Sequence, residues 1–239
     1  MVDAMMSAPH PTARAKRRLV LNFHGIGEVP PSVGPSERRF WTTESMFDAI
    51  LTEIGRASQS TELPIQITFD DGNESDVRLA LPALLERALT ADFFVCAGRL
   101  GKPGYLDESQ VRELRSAGMG IGSHGWDHVD WRRINDATMD REVRGARERL
   151  SEVLGYDVDE VAIPFGSYDR RVVGKLRQEG IRTAYTSDGG RASGGSWLVT
   201  RETCTATWDG RTIERIAGVG PSHLGRFRRS LARLVKRLR

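Results

Sequence analysis

The segment Gln66–Asn73, which reads QITFDDGN, ends an apolar run with two adjacent carboxylates and a glycine. The alternating apolar residues at positions 65, 67 and 69 predict a buried strand. Asp70 and Asp71 then stand side by side, although like charges repel and each carboxylate resists losing its water. Two explanations are open at this point. Asp71-Gly72 is common turn chemistry at a protein surface, or a positive group lies between the two carboxylates.

A strand followed by a helix is the unit that recurs along the chain. Apolar runs predict seven strands, at 18–23, 64–69, 92–97, 119–124, 160–166, 181–187 and 196–201. Helical spacing of apolar residues predicts helices at 43–54, 76–90, 107–118, 135–154, 169–180 and 209–218. Alternating strands and helices imply a parallel sheet, either closed as a barrel or open and doubly wound.

Polar or conformationally special residues stand at the C-terminal ends of four predicted strands. They are His24, the Asp70–Asp71 pair, the Ser123–His124 pair and the turn 164–166. In a (β/α) barrel such strand ends meet on one face, which carries the active site. No Gly-x-Gly-x-x-Gly follows the first strand, which weakens the case for an open dinucleotide-binding sheet. The pattern therefore favours the barrel, an α/β fold.

Two of the five histidines, His124 and His128, are four residues apart in the stretch GSHGWDHVD. On a helix or a tight turn this spacing brings both imidazoles to one side, although the spacing alone also fits a structural or chance pair. Asp71 supplies a third ligand, and two imidazoles with one carboxylate are typical of catalytic zinc sites. We therefore predict a divalent metal cofactor, zinc first, since the same ligands also accept cobalt, nickel or manganese.

The two aspartates receive different roles because adjacent residues of a strand point to opposite faces. We assign Asp71 as the metal ligand and Asp70 as the general base that faces the bound water. The charge of the metal removes the repulsion between the carboxylates, and it lowers the pKa of that water from about 15.7 toward 7.

A third segment, VAIPFGSYD, supplies the turn Pro164–Gly166. Pro164 fixes the backbone direction and Gly166 permits a sharp turn, so that the amide of Phe165 points into the cleft. A backbone N–H beside a metal is suited to a tetrahedral oxyanion. An ordinary connection between a strand and a helix is the alternative.

With TFDDG, SHGWDH and IPFG in this order, the sequence resembles the polysaccharide deacetylases of carbohydrate esterase family four, the NodB-homology domain. The resemblance extends from about Leu19 to Arg201. It implies a distorted (β/α)7 barrel and metal-dependent removal of acetyl groups from an N-acetylated sugar. The family's roles place the base at Asp70 and the metal ligands at Asp71, His124 and His128, in agreement with the assignment from the residues.

The sequence departs from the family pattern at two places. Ala162 stands where the family often has an arginine that braces the catalytic aspartate, although a subgroup acting on poly-N-acetylglucosamine-type exopolysaccharides is more similar there. The family also often supplies a late histidine as general acid, and His223 is the only late histidine of this chain. His24, which that subgroup shares, is the alternative acid, and orienting the substrate is an equally open role for it.

The substrate is expected in a groove on the same face. The loop from Gly25 to Thr42 is long for a strand-to-helix connection and is predicted to form part of this groove. Trp41 and Trp126 are candidates for stacking on sugar rings, with Pro164 beside them, although aromatic residues near a cleft often serve packing instead.

We expect three regions: a flexible extension at 1–18, the barrel at 19–223 and a basic tail at 224–239. The tail holds seven of the 35 Lys and Arg residues and no acid, so 28 basic residues face 32 acidic ones in the rest of the chain. This balance argues against a nucleic-acid partner. The order of residues at the N-terminus, with an early acid and no apolar core before the basic cluster, is not that of a secretory signal, and we expect a cytoplasmic protein.

Apolar residues recur every three or four positions in the tail, with cations at most of the others, which predicts an amphipathic helix. A terminal helix packed on the barrel is one interpretation. Peripheral attachment to the anionic inner membrane face, next to a lipid-linked sugar, is the other.

The sequence as a whole predicts a metal-dependent carbohydrate N-deacetylase that acts on an N-acetylated oligo- or polysaccharide. Two alternatives stay open: a non-catalytic carbohydrate-binding protein on the same fold, and an O-acetyl sugar esterase.

Overall fold

A single sheet in which all neighbouring strands run parallel forms the centre of the computed structural model, which describes residues 17–31, 33–60, 63–218 and 235–236. The strand order is β7-β6-β5-β4-β3-β2-β1-β8. The strands are β1 (Leu19–Phe23), β2 (Ile65–Asp71), β3 (Ala91–Val95), β4 (Gly120–Ser123), β5 (Glu160–Ala162), β6 (Thr183–Thr186), β7 (Leu198–Thr200) and β8 (Glu202–Thr203). Parallel pairing throughout is what alternating strands and helices require.

Helices connect most of these strands. They are α1 (Glu44–Ser60), α2 (Leu81–Leu85), α3 (Glu108–Ser116), α4 (Asp136–Asp140), α5 (Ala146–Leu154), α6 (Arg170–Gln178) and α7 (Gly210–Gly218). Two predicted helices contain a π-helical turn. The turn Asp76–Ala80 directly precedes α2, and the turn Arg141–Gly145 separates α4 from α5. Such turns insert one residue into a helix and are frequent near functional sites.

The sheet closes on itself through one residue. β7 pairs with β6 at one edge and β8 pairs with β1 at the other, yet Arg201 alone separates β7 from β8. We call this junction, Thr200–Arg201–Glu202, the seam. The prediction of a distorted (β/α)7 barrel is confirmed, with the two-residue strand β8 added where the seventh predicted strand continues.

Alternation along the strands sorts side chains into two layers. Ile67 and Phe69 of β2 belong to the large apolar cluster that packs under the helices. Thr68 and Asp70 alternate with them and therefore point into the barrel, where both are buried. Above the base of the barrel, its interior holds a small apolar layer formed by Val20, Phe94, Ala162, Tyr185, Ala192 and Val199.

The base of the barrel, at the N-terminal ends of the strands, contains a second polar group of residues. Gln66 donates to Asp92 at 2.6 Å and to the Tyr185 hydroxyl at 3.1 Å, and that hydroxyl donates to Glu160 at 3.3 Å. Burial raises the pKa of Asp92 and Glu160, and it raises the pKa of Tyr185 to about 12. This end of the barrel is therefore most stable when these three groups carry their protons.

The extension and the tail fall largely outside the described residues, apart from 17–18 at one end and Val235 and Lys236 at the other. The predicted three regions thus stay a prediction. None of the described helices combines the length and the apolar character needed to cross a bilayer.

The raised pKa of Asp92 predicts how stability depends on pH. Because the folded protein holds this proton more tightly than the unfolded chain, the stabilisation is complete below the ordinary pKa of 3.8 and is lost as the pH rises through the raised value. We expect Asp92→Asn, which cannot ionise, to lose less unfolding free energy than wild type between about pH 4 and pH 7. Urea unfolding at several pH values measures this. Asp157→Asn, an exposed control, should follow wild type, and identical pH profiles for Asp92→Asn and wild type would contradict the prediction.

Candidate metal and catalytic site

The predicted site residues lie at the C-terminal ends of β1, β2, β4 and β5, where the parallel strands deliver them to one face. The backbone there is strained. Among the described residues, four non-glycine residues have a positive φ, and three of them are Asp71 at 79°, His128 at 58° and Phe165 at 58°. Such conformations are costly and cluster at functional sites, where the surrounding structure holds them in place.

Asp71, His124 and His128, which the sequence predicts as metal ligands, lie together in the structure. One ligand atom from each lies within 4.8 Å of the others. Asp71 Oδ1 lies 3.4 Å from His128 Nε2 and 3.9 Å from His124 Nε2. These separations are too long for good hydrogen bonds, so the three atoms face a common point without being hydrogen-bonded to each other. The donor set fits a divalent transition metal, zinc included.

Both histidines are suited to act as neutral ligands. Burial lowers the pKa of His124 to about 4 despite the nearby charge of Asp70, and burial likewise lowers the pKa of His128 despite Asp71. The Nδ1 of His124 lies 2.8 Å from the carbonyl oxygen of Ala162. This contact places a proton on Nδ1, so Nε2 keeps its lone pair and turns it toward Asp71.

Asp70 is held by an arginine that the sequence analysis did not identify. Both guanidinium Nη atoms of Arg201 donate to its carboxylate, each at 2.7 Å, and Asn22 Nδ2 donates at 2.9 Å. All three side chains are buried. Burial alone would raise the pKa of Asp70, but the charge and hydrogen bonds of Arg201, together with the nearby His124 and His24, outweigh it and hold the pKa well below its usual range. Asp70 is therefore ionised at neutral pH.

Arg201 fulfils the bracing function that appeared to be missing at Ala162. The Ala162 side chain lies in the apolar layer inside the barrel, and the backbone carbonyl of Ala162 accepts a hydrogen bond from His124 Nδ1. Arg201 reaches Asp70 from the seam, between β7 and β8. In the sequence, Arg201 is visible only as an arginine at the end of the last predicted strand. Its neighbours in the sequence give no indication that its partner is Asp70.

Glu142 is a second residue that the sequence analysis missed, and it anchors the loop between the two histidines. Its carboxylate accepts hydrogen bonds from the backbone N–H of Trp126 at 2.9 Å, of Asp127 at 3.0 Å and from Trp131 Nε1 at 3.2 Å. Glu142 lies in the π-helical turn Arg141–Gly145 and is buried. Three donors on one carboxylate fix the loop that carries His128.

His24 and Phe165 border the same cleft. His24 stacks on Phe40 at 5.0 Å, and its Nδ1 is buried without a hydrogen-bond partner among the described residues. The Phe165 ring lies 4.5 Å from the His128 ring and is 55% exposed. Pro164 is buried at the start of the same turn. Lys236 donates to the carbonyl of Gly166 at 3.2 Å beside it.

The two tryptophans proposed to stack on sugar occupy packed positions. Trp41 is 8% exposed and so close to Gly25 that a Cβ there would lie 2.2 Å from its ring. Trp126 packs against the main apolar cluster, with Arg141 over its ring at 4.9 Å. These placements favour packing for both rings, and their stacking role stays a prediction.

The buried pair of Asp70 and Arg201 makes Arg201→Met a severe substitution. Removing one partner leaves an uncompensated buried charge, so we expect unfolding free energy to fall by about 3–5 kcal/mol in urea titrations. Arg133→Met, whose side chain is 82% exposed, is the control. Adding Asp70→Asn to Arg201→Met should recover part of the loss, and a loss no larger than that of the control would refute the importance of the pair.

Comparison with known proteins shows which proteins this chain resembles in sequence. Residues 57–184 match the family profile described as polysaccharide deacetylase. The chain is 25% identical over 136 residues to a chitooligosaccharide deacetylase of Azorhizobium caulinodans, covering 55% of this chain and 63% of that protein. It is 24% identical over 144 residues to YxkH of Bacillus subtilis, provisionally named a polysaccharide deacetylase, covering 60% of this chain and 50% of YxkH. The chain therefore spans about half to under two thirds of these relatives.

Solved structures share the fold. The deacetylase PplD of Streptococcus pyogenes, solved with acetate, has a TM-score of 0.73 at 19% identity, covering 84% of this chain and 98% of PplD. The polysaccharide deacetylase BC0361 of Bacillus cereus has a TM-score of 0.74 at 19% identity, with coverages of 85% and 69%. At these identities the likeness concerns the fold alone. The profile match, which spans more than half of the chain, carries the conclusion that this chain belongs to the polysaccharide deacetylase family.

Proposed function

We propose that the protein is a metal-dependent N-deacetylase that hydrolyses the acetamide of an N-acetylated sugar in an oligo- or polysaccharide. The observation that carries the proposal is the convergence of Asp71, His124 and His128 next to an ionised Asp70. A ligand set alone would serve binding, but a separate buried carboxylate, kept charged by Arg201, supplies the base that hydrolysis of an amide by water requires.

The residues divide the chemistry among them. Asp71, His124 and His128 would hold the divalent metal. When bound, the metal polarises the acetamide carbonyl and makes water a better nucleophile at neutral pH. Asp70 accepts a proton from the attacking water. The Phe165 amide donates to the carbonyl oxygen as negative charge develops there. His24, at the end of β1, protonates the leaving nitrogen, so that the products are acetate and a free amine.

Two features motivate the alternative of a non-catalytic carbohydrate-binding protein: the missing arginine at position 162 and the uncertain identity of the general acid. Arg201, which contacts Asp70 from the seam, removes the first of these motives. An O-acetyl esterase would use the same groups, since water attacks an ester carbonyl in the same way. We propose that the metal is zinc rather than cobalt, nickel or manganese.

A substrate panel tests the proposal. Purified protein is stripped of metal, supplied with each of the four ions in turn, and given N-acetylglucosamine oligomers or O-acetylated sugars of matched length. We expect acetate and free amine to appear in equal amounts from the N-acetylated substrates. Acetate only from O-acetylated sugars would make the protein an esterase, and sugar binding without any acetate would make it a binding protein.

Asp70→Asn tests the base separately from the metal. The amide cannot take a proton from water, so we expect turnover to fall by about 10²–10⁴-fold. Metal content, measured by elemental analysis, should stay near one equivalent, whereas His124→Ala should lose both metal and turnover. Turnover of Asp70→Asn close to that of wild type would remove Asp70 from the mechanism.

We further propose that residues 224–239 attach the protein to an anionic membrane surface, close to a lipid-linked substrate. The support is the sequence pattern, because basic residues near such a surface contribute about 1 kcal/mol each. Deleting 224–239 should abolish salt-sensitive sedimentation with anionic vesicles while soluble oligomers are still deacetylated. Equal sedimentation of the full chain with neutral and anionic vesicles would count against attachment.

A further inference from the structure

Each of the three ligand residues has an outer partner that comes from a different part of the chain. The partner of His124 is the Ala162 carbonyl on β5. The outer nitrogen of His128, Nδ1, faces Glu37 Oε1 at 3.9 Å, and Asp71 Oδ1 accepts from Arg99 Nη1 at 3.1 Å. The last two partners carry opposite charges, and neither has a role in the chemistry proposed above.

Glu37 comes from the long loop after β1, directly before the 3₁₀ turn Arg38–Phe40. It lies on the side of His128 away from the ligand cluster, while the Phe165 ring covers a face of the imidazole. A carboxylate at the second nitrogen of a ligating histidine fixes its tautomer and makes it a stronger ligand. The 3.9 Å gap exceeds a hydrogen bond, but the Glu37 side chain is 41% exposed, and a bridging water or a small rotation closes the gap.

Arg99 ends the 3₁₀ turn Ala97–Arg99 after β3 and stacks on Tyr105 at 4.9 Å. Its contact with Asp71 uses Oδ1, the same oxygen that faces both histidines. A supporting hydrogen bond would leave this oxygen to the metal and use the other one. The geometry therefore places the guanidinium and a metal ion at the same carboxylate oxygen, where their positive charges repel each other.

We propose that Glu37 and Arg99 set the metal affinity of the site from outside the ligand set, in opposite directions. Glu37 strengthens binding through His128, and Arg99 weakens it through Asp71. The inference rests on the metal-dependent function proposed above, and it makes both groups positioning or tuning residues. The sign of each effect distinguishes this arrangement from a general structural contribution, which would weaken binding in both variants.

The test measures the dissociation constant for Zn²⁺ by competition with a chromophoric chelator, using the full chain stripped of metal. We expect Glu37→Gln to raise the constant about tenfold, the lower end of typical outer-partner effects. We expect Arg99→Met to lower it by roughly tenfold, because even a water-like dielectric leaves appreciable repulsion between an arginine and a dication a few Å away. Arg99→Lys keeps the charge and should tighten binding less than Arg99→Met.

Matched controls carry the same charge changes elsewhere in the same two loops: Glu28→Gln and Lys102→Met, both at exposed positions. Thermal melts in chelator establish that every variant folds. Weaker binding in Arg99→Met, or a Glu37→Gln constant equal to that of Glu28→Gln, would overturn the inference. If wild type binds none of the four ions, the metal-dependent function falls as well, whereas wild-type binding with unshifted variants overturns this inference alone.

Discussion

The ion pair between Arg201 and Asp70 is the interaction on which the site and the closure of the barrel both depend. Two hydrogen bonds of 2.7 Å join side chains that have almost no contact with solvent. Burying two charges is expensive unless the geometry is good and the remaining hydrogen-bonding capacity is used. Here Asn22 and Thr68 accept from Arg201 Nη1 at 3.0 and 3.2 Å, and Arg201 Nε is left without a hydrogen-bond partner among the described residues. The pair is thus stable only when β1, β2 and the seam are all in place.

The apolar layer inside the barrel explains why charges at the top of the barrel act strongly. Val20, Phe94 and Val199 lie between the site and the polar base, and the Arg201 guanidinium lies 5.4 Å from the Phe94 ring. Water is therefore excluded from below the Asp70 carboxylate, and electrostatic interactions there are weakly screened. In this environment Arg201 is the main group that favours the ionised form of Asp70, while burial lowers the pKa of both histidines.

Local sequence signals were sufficient to predict the fold and the proximity of Asp71, His124 and His128. The period of two in β2 and the doublet that follows it place Asp70 inside the barrel, and the spacing of His124 and His128 is short enough to be read directly. The supporting residues could not be predicted in this way. Arg201 and Asp70 are 131 residues apart, and Glu142 acts from within a π-helical turn. The closure of the barrel decides the partner of Arg201, and the loop after β4 supplies the partners of Glu142. Each of the two looks in sequence like any other charged surface residue.

The position of the seam so late in the chain has a consequence for biosynthesis. Asp70 is added 131 residues before Arg201, an interval of roughly 7 to 26 s at 5–20 residues per second. During that time the nascent sheet has no β8 to cover the edge of β1, and the Asp70 carboxylate lacks its partner Arg201. Unpaired strand edges are templates for association with other chains. Emergence from the ribosome is therefore the stage at which this protein is most vulnerable to aggregation, and its last short strand ends that vulnerability.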